Sequence, residues 1–122
     1  MNIEMLREYC IHKKAVEECF PFDESTLVFK VGGKVFLLVS LNRVPLQFNV
    51  KCDPEKAVEL REEYDCVKHG YHMSKKHWNT VICDGSIKDK LFFDWIDHSY
   101  ELVFTSLTKK IKADIETIDD SF

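Results

Sequence analysis

Residues 70–80, GYHMSKKHWNT, gather two histidines, two lysines, a tyrosine and a tryptophan without a single acid. With Cys66 and His69 upstream, the donors Cys66, His69, His72 and His77 follow a C-x2-H-x2-H-x4-H spacing. A structural zinc needs four nitrogen or sulfur ligands in a tetrahedron. This spacing matches no standard finger, and Lys68, Lys75 and Lys76 add positive charge beside any bound cation. No metal and no cofactor are therefore expected. A nucleophilic cysteine is the next candidate chemistry. Cys52 stands just before a helix start at Asp53, and a helix N-terminus favours the thiolate. No orienting third residue or oxyanion motif accompanies it, so no catalytic residue is assigned. Nor is there a phosphate-cradling glycine loop, because Gly32-Gly33 is accounted for by a hairpin turn.

The third chemistry is charge. Segments 26–52 and 67–83 hold none of the 21 acids. They do hold Lys30, Lys34, Arg43, Lys51, Lys68, Lys75 and Lys76, out of 17 basic residues. Acids are depleted from strands in general, so this layout has an ordinary structural explanation. Its alternative is a molecule with an acidic helical side and a basic strand-and-loop side, able to attract phosphate. Tyr71, His72 or Trp78 could then stack on bases, although a tryptophan opening a strand is more often core. The net charge of −4 argues against the whole surface binding nucleic acid and leaves room for a local patch.

The elements that must position these residues follow from periodicity. Residues 2–11 read as a helix capped by Asn2, with Ile3, Leu6 and Cys10 on one face. A short strand is expected near Val16–Phe20, and a loop at Asp23, Glu24 and Ser25. TLVFKVGGKVFLLV reads as a hairpin about Gly32-Gly33. A regular register pairs Val31 with Lys34, Phe29 with Phe36 and Leu27 with Leu38, and puts Leu27, Phe29, Phe36 and Leu38 on the core face. In VPLQFNVKC, Leu46, Phe48 and Val50 alternate with Gln47, Asn49 and Lys51, giving one buried and one wet face. Asp53 caps a helix with Pro54 in first position, ending near Tyr64 or Asp65. An irregular connection over 66–76 leads to a strand at HWNTVIC, with Trp78, Thr80 and Ile82 on one face. Ser86 and Asp89 suggest a capping box for a last long helix, whose tail is expected to fray by about residue 114. These elements predict one α+β domain over residues 1–122, an antiparallel sheet with helices packed on one face.

Scattered single cysteines at 10, 19, 52, 66 and 83 read as reduced thiols. With no basic-then-apolar leader in MNIEMLREYC and no apolar run of membrane length, a cytoplasmic protein with no membrane contact is expected.

The segments FPF (20–22), LVFKVGGKVF (27–36), KCDPEKAVELREEY (51–64), GYHMSKKHWNTV (70–81) and WIDHSYELV (95–103) resemble the MmcQ/YjbR family of small bacterial proteins. The likeness runs over about residues 2–112. The chain departs from the family pattern at Lys13-Lys14, where Pro-Gly is usual, and at Leu107-Thr108-Lys109, where Leu-Pro-Lys is usual. The resemblance implies a CyaY-like or secretion-chaperone-like α+β domain. It also implies two β-wings, which have made the family a candidate for DNA binding, without a settled activity. Taken together, the expectation is a binding module for DNA, using Lys30, Lys34, Arg43, Lys51, Lys68, His72, Lys75, Lys76 and Trp78. The alternative is a protein-interaction module of chaperone-like type, and after it an enzyme of unknown reaction.

Overall fold

In the computed structural model, which describes residues 1–71 and 73–119, the chain alternates helix and strand. The order is α1 (Ile3–Ile11), β1 (Val16–Cys19), β2 (Thr26–Val31), β3 (Lys34–Ser40), β4 (Gln47–Lys51), α2 (Pro54–Glu63), β5 (Val67–His69), β6 (Trp78–Ile82), α3 (Asp89–Ser106) and α4 (Lys109–Asp119). The strands form one antiparallel sheet in the order β1-β2-β3-β4-β6-β5, so β1 and β5 are its edges. Along the chain α1 lies against β1, α2 against β5 and β6, and α3 against the central strands. All three cover the same sheet face.

The hairpin forms where expected. Gly32 and Gly33 both sit at positive φ, 58° and 82°, which a two-residue turn demands. Gly32 is also pressed against the last helices. A Cβ there would lie 2.6 Å from Leu107 Cδ1, so no other residue fits without moving that side chain.

The register differs from the regular one. Val31 pairs with Lys34 and Lys30 with Val35, but Phe29 then pairs with Leu37. Phe36 is the extra residue of a β-bulge. It stays on the side of Phe29, with ring centroids 6.4 Å apart. Beyond the bulge the alternation changes phase. Leu27 pairs with Val39, not Leu38, and Val39 enters the core. Leu38, expected inside, faces the other side of the sheet. The bulge thereby lets Phe36 and Leu37, adjacent in sequence, both be fully buried.

Helix α3 holds this arrangement. Ser99, fully buried, donates its hydroxyl to the Phe36 carbonyl at 2.6 Å and accepts the Lys51 N–H at 2.8 Å. Its neighbour His98 accepts the Asp53 N–H through Nε2 at 3.2 Å. Two adjacent residues of one helix thus fix the bulge of β3 and the chain leaving β4. Asp53 caps α2 as expected, its carboxylate taking the N–H groups of Glu55 and Lys56.

Three other expectations are corrected. The connection over 66–76 contains the edge strand β5. The capping box at Ser86 does not form: Asp84 takes the Ser86 N–H at 3.0 Å in a local turn, and α3 starts at Asp89 without a side-chain cap. The tail is helical through Asp119, because Ile115 is buried in the core and Ile111 packs beside it. Among the described residues, no helix is long and apolar enough to cross a membrane.

Removing the Ser99 hydroxyl leaves a buried carbonyl and a buried N–H without their partner. Ser99→Ala should cost about 1–3 kcal/mol. That is roughly 4 °C of Tm per kcal/mol for a domain of this size, measurable by thermal unfolding. Burial holds the His98 pKa below its ordinary value, with Lys56 acting in the same direction. The folded state therefore resists protonation, while the unfolded chain takes up the proton below pH about 6.5. The His98 contribution should be complete above that pH and decline as the solution is acidified. His98→Gln should flatten the fall of Tm with pH in that window.

Candidate functional site

Cross-strand partners share a face, so the register assigns every strand residue to the helix-packed face or to the open one. Leu27, Phe29, Val39, Phe48, Val50, Val67 and Val81 build the helix-packed core. Their alternates point to the other face: Thr26, Val28 and Lys30 on β2, Leu38 and Ser40 on β3, and Gln47, Asn49 and Lys51 on β4, with Val28 fully buried there. Trp78, Thr80 and Ile82 on β6 and Lys68 on β5 complete that face.

Three of the expected basic residues, Lys30, Lys51 and Lys68, therefore share the open face. They stand on alternate strands of the sheet order, about 10 Å from one to the next in the cross-strand direction. Lys51 is the direct partner of Trp78, and Lys68 of Thr80. Trp78 is half-buried and belongs to this open face, not to the helix-side core where a strand-opening tryptophan is more often found. Its neighbour across the strand is Gly70, where a Cβ would lie 2.7 Å from that of Trp78. One acid joins the row: Glu17 is the partner of Lys30.

The other basic residues border the face. Lys34 is exposed at the hairpin tip, Arg43 in the β3–β4 connection, and Lys75 and Lys76 in the β5–β6 connection. None of the seven side chains makes an ion pair among the described residues. His72 lies outside the described residues.

The open face also holds a trough of about 610 Å³. Leu38, Ser40, Gln47 and Asn49 make its floor, and Phe22, Arg43, Tyr71 and Met73 its walls. A hydrogen-bond relay orders it. The Tyr71 N–H donates to Thr80 Oγ1 at 3.2 Å, the Thr80 hydroxyl donates to Asn49 Oδ1 at 2.5 Å, and Asn49 Nδ2 reaches the Met73 sulfur at 3.7 Å. The alternation of Gln47 and Asn49 against Phe48 and Val50 marks this face as wet. Nothing local in the sequence brings Phe22 and Arg43 to it.

The other chemistries fare less well. Cys52 is 4% exposed, and burial pushes its thiol up to about 11, away from a nucleophilic thiolate. Its N–H is spent on the His77 carbonyl at 2.7 Å. Cys66 is buried, and His69 packs edge-on against Tyr71. Among the described residues no group of three or more His, Cys, Asp or Glu side chains is placed to hold a metal.

A helix-backed six-stranded antiparallel sheet with an open, lysine-bearing face defines an α+β domain of one recognised architecture. The chain belongs to the YjbR family, whose model matches residues 11–102. It is 40% identical over 108 residues to the uncharacterised protein YbdF of Escherichia coli O157:H7, covering 88% of each chain. It is 32% identical over 101 residues to the uncharacterised protein YjbR of Escherichia coli K12, covering 83% of this chain and 86% of that one. Among solved structures it is similar to a Deinococcus radiodurans protein with a DUF419 domain. There the TM-score is 0.89 at 36% identity, over 94% of this chain and 88% of the other.

The two departures from the family pattern have local accounts. Lys13 pairs with Asp97, which also accepts the Tyr9 hydroxyl, and Ala15 takes the positive φ of 59° at the turn into β1. Thr108, in the place of the usual proline, accepts the Ile111 N–H at 3.2 Å and so caps α4.

Cys10, Cys52 and Cys66 are each at most 4% exposed. Mass spectrometry after brief iodoacetamide treatment of native protein at about pH 8 should find these three unmodified, with full labelling only after unfolding. Rapid labelling of Cys52 in the folded protein would restore it as a candidate nucleophile.

Proposed function

We propose that this protein is a non-enzymatic binding module that holds DNA weakly and without sequence preference on the open face of its sheet. The observation that carries this reading is that Lys30, Lys51 and Lys68 share the sheet face opposite the packed helices and make no ion pair among the described residues. Cations about 10 Å or more apart are beyond the roughly 8 Å Debye length at physiological salt, so they repel one another little. Each can then contact a separate phosphate of a chain laid across the strands. Lys34 at the hairpin tip and Lys75 and Lys76 in the β5–β6 connection take the part of the two wings that the resemblance implies. Trp78 and Tyr71 offer rings on which bases of a single strand could stack. With a net charge of −4, the acidic helices repel DNA in other orientations, so affinity should be modest, about 10⁻⁶ M or weaker at physiological salt.

A second reading is favoured by a different observation. Phe20, Phe22, Leu41 and Val44 are exposed at 51%, 69%, 40% and 97% on two loops joined by the Leu41 N–H to the Ser25 carbonyl. Exposed apolar side chains on adjacent loops suit a protein partner.

Fluorescence anisotropy with labelled single-stranded and duplex DNA across a salt series tests the first reading. Wild type should bind at about 50 mM salt and weaken steeply as salt rises. Lys51→Glu with Lys68→Glu should lower the slope of log K against log salt by about 2 or abolish binding. The Tm should be nearly unchanged, because neither side chain makes an ion pair among the described residues. Lys75→Glu with Lys76→Glu should act in the same direction. Trp78→Ala should weaken single-strand binding more than duplex binding. Absence of binding at low salt, or indifference to both double substitutions, would leave the protein-interaction reading ahead.

A further inference from the structure

The trough on the open face carries an inference independent of DNA binding. Its volume, about 610 Å³, falls in the range of small-molecule sites. What distinguishes it from a surface dent is the orientation of its polar floor. Thr80 Oγ1 already accepts the Tyr71 N–H, so its own proton goes to Asn49 Oδ1. The Asn49 carboxamide is thereby fixed with its oxygen toward Thr80 and its NH2 toward the trough. There, among the described residues, it meets the Met73 sulfur, a weak acceptor. The relay presents a donor, and a donor in search of a better acceptor.

The groups around it agree. Gln47 and Ser40 line the same floor, and their side chains make no hydrogen bond among the described residues. Arg43 stands at the wall, and among the described residues it makes no ion pair and no acid lines the trough. Against this donor-rich side stand Leu38 and Met73 and the rings of Phe22 and Tyr71, which are 69% and 44% exposed. Exposed rings beside unsatisfied donors suit a ligand that is apolar in its plane and acceptor-rich at one end.

We propose that the trough is a binding site for a small organic anion with a flat aromatic body. Its carboxylate or phosphate group faces Arg43 and its ring lies along Phe22 and Tyr71. Asn49 and Gln47 read the acceptors on its edge. An aromatic carboxylate and a nucleoside monophosphate share this chemistry, and the two are separated by experiment.

The test is titration of the 15N-labelled protein, with two-dimensional NMR following the Asn49 and Gln47 side-chain amides. The probes are salicylate, adenosine monophosphate, adenosine and inorganic phosphate. The expected result is saturable shifts at those amides and at Tyr71 with salicylate, adenosine monophosphate or both; whichever binds names the source. Adenosine and phosphate, each half of the chemistry, should bind at least tenfold more weakly. Arg43→Gln, an exposed change, should weaken the aromatic anions at least tenfold while the spectrum stays that of a folded protein. Gln47→Ala should weaken them with Tm held. Four results would each overturn the inference: no saturable shift with either aromatic anion at millimolar concentration, shifts centred away from Asn49 and Gln47, phosphate alone binding as well as the aromatic anions, or indifference to Arg43→Gln. Loss of DNA binding in the anisotropy series leaves this result untouched, and the reverse holds as well.

Discussion

The Ser99 hydroxyl is the contact on which the two faces of the sheet depend. It accepts from the end of β4 and donates to the bulged residue of β3, joining three elements through one buried oxygen. An extra residue in a strand costs regular pairing, and here the orphaned carbonyl finds its partner in the helix. The consequence spreads along β3. Because Phe36 is the added residue, Val39 turns into the core and Leu38 and Ser40 turn out. Ser40 joins Gln47 and Asn49 on the open face because of a backbone irregularity in β3.

Charge is divided by the same architecture. Helices can carry acids on their solvent-facing sides at little cost, and here they do. Strand residues facing away from the helices cannot be neutral throughout without making the sheet adhesive, and Lys30, Lys51 and Lys68 interrupt that surface. Glu17 beside Lys30 tempers the field at one side and leaves Lys51 and Lys68 uncompensated. Lys30 and Lys51 stand toward the end of β2 and β4 near the Gly32-Gly33 turn, and the trough lies toward the opposite end of the strands, over Ser40 and Gln47.

Much of the fold was legible because it is written in short-range signals. Asn2, Asp53 with Pro54, the paired glycines and the alternation from Leu46 to Lys51 each act within a few residues, and each forms as read. The bulge was not legible, because VFLLV is apolar at every position and period two has nothing to count. What chooses the phase is Ser99, distant in the chain. Strand β5 escaped notice because three residues with a lysine at their centre look like loop. Helix α4 is settled by Ile111 against the tip at Gly32 and by Ile115 buried in the core, contacts remote in sequence. The lysine positions could be read as basic, and their common face followed only from register. The trough could not be read at all: Gln47 and Asn49 are ordinary wet residues until Phe22, Arg43 and Tyr71 close around them.

The edges of the sheet have a bearing on assembly. β1 presents Glu17 and Glu18, and β5 presents Lys68 at its centre. Glu18 is already held by Arg7, and Glu17 stands beside Lys30, so the acids of the β1 edge are matched within the chain. What both edges share is brevity: four residues in β1 and three in β5. So few main-chain groups offer little template for a strand added from another copy.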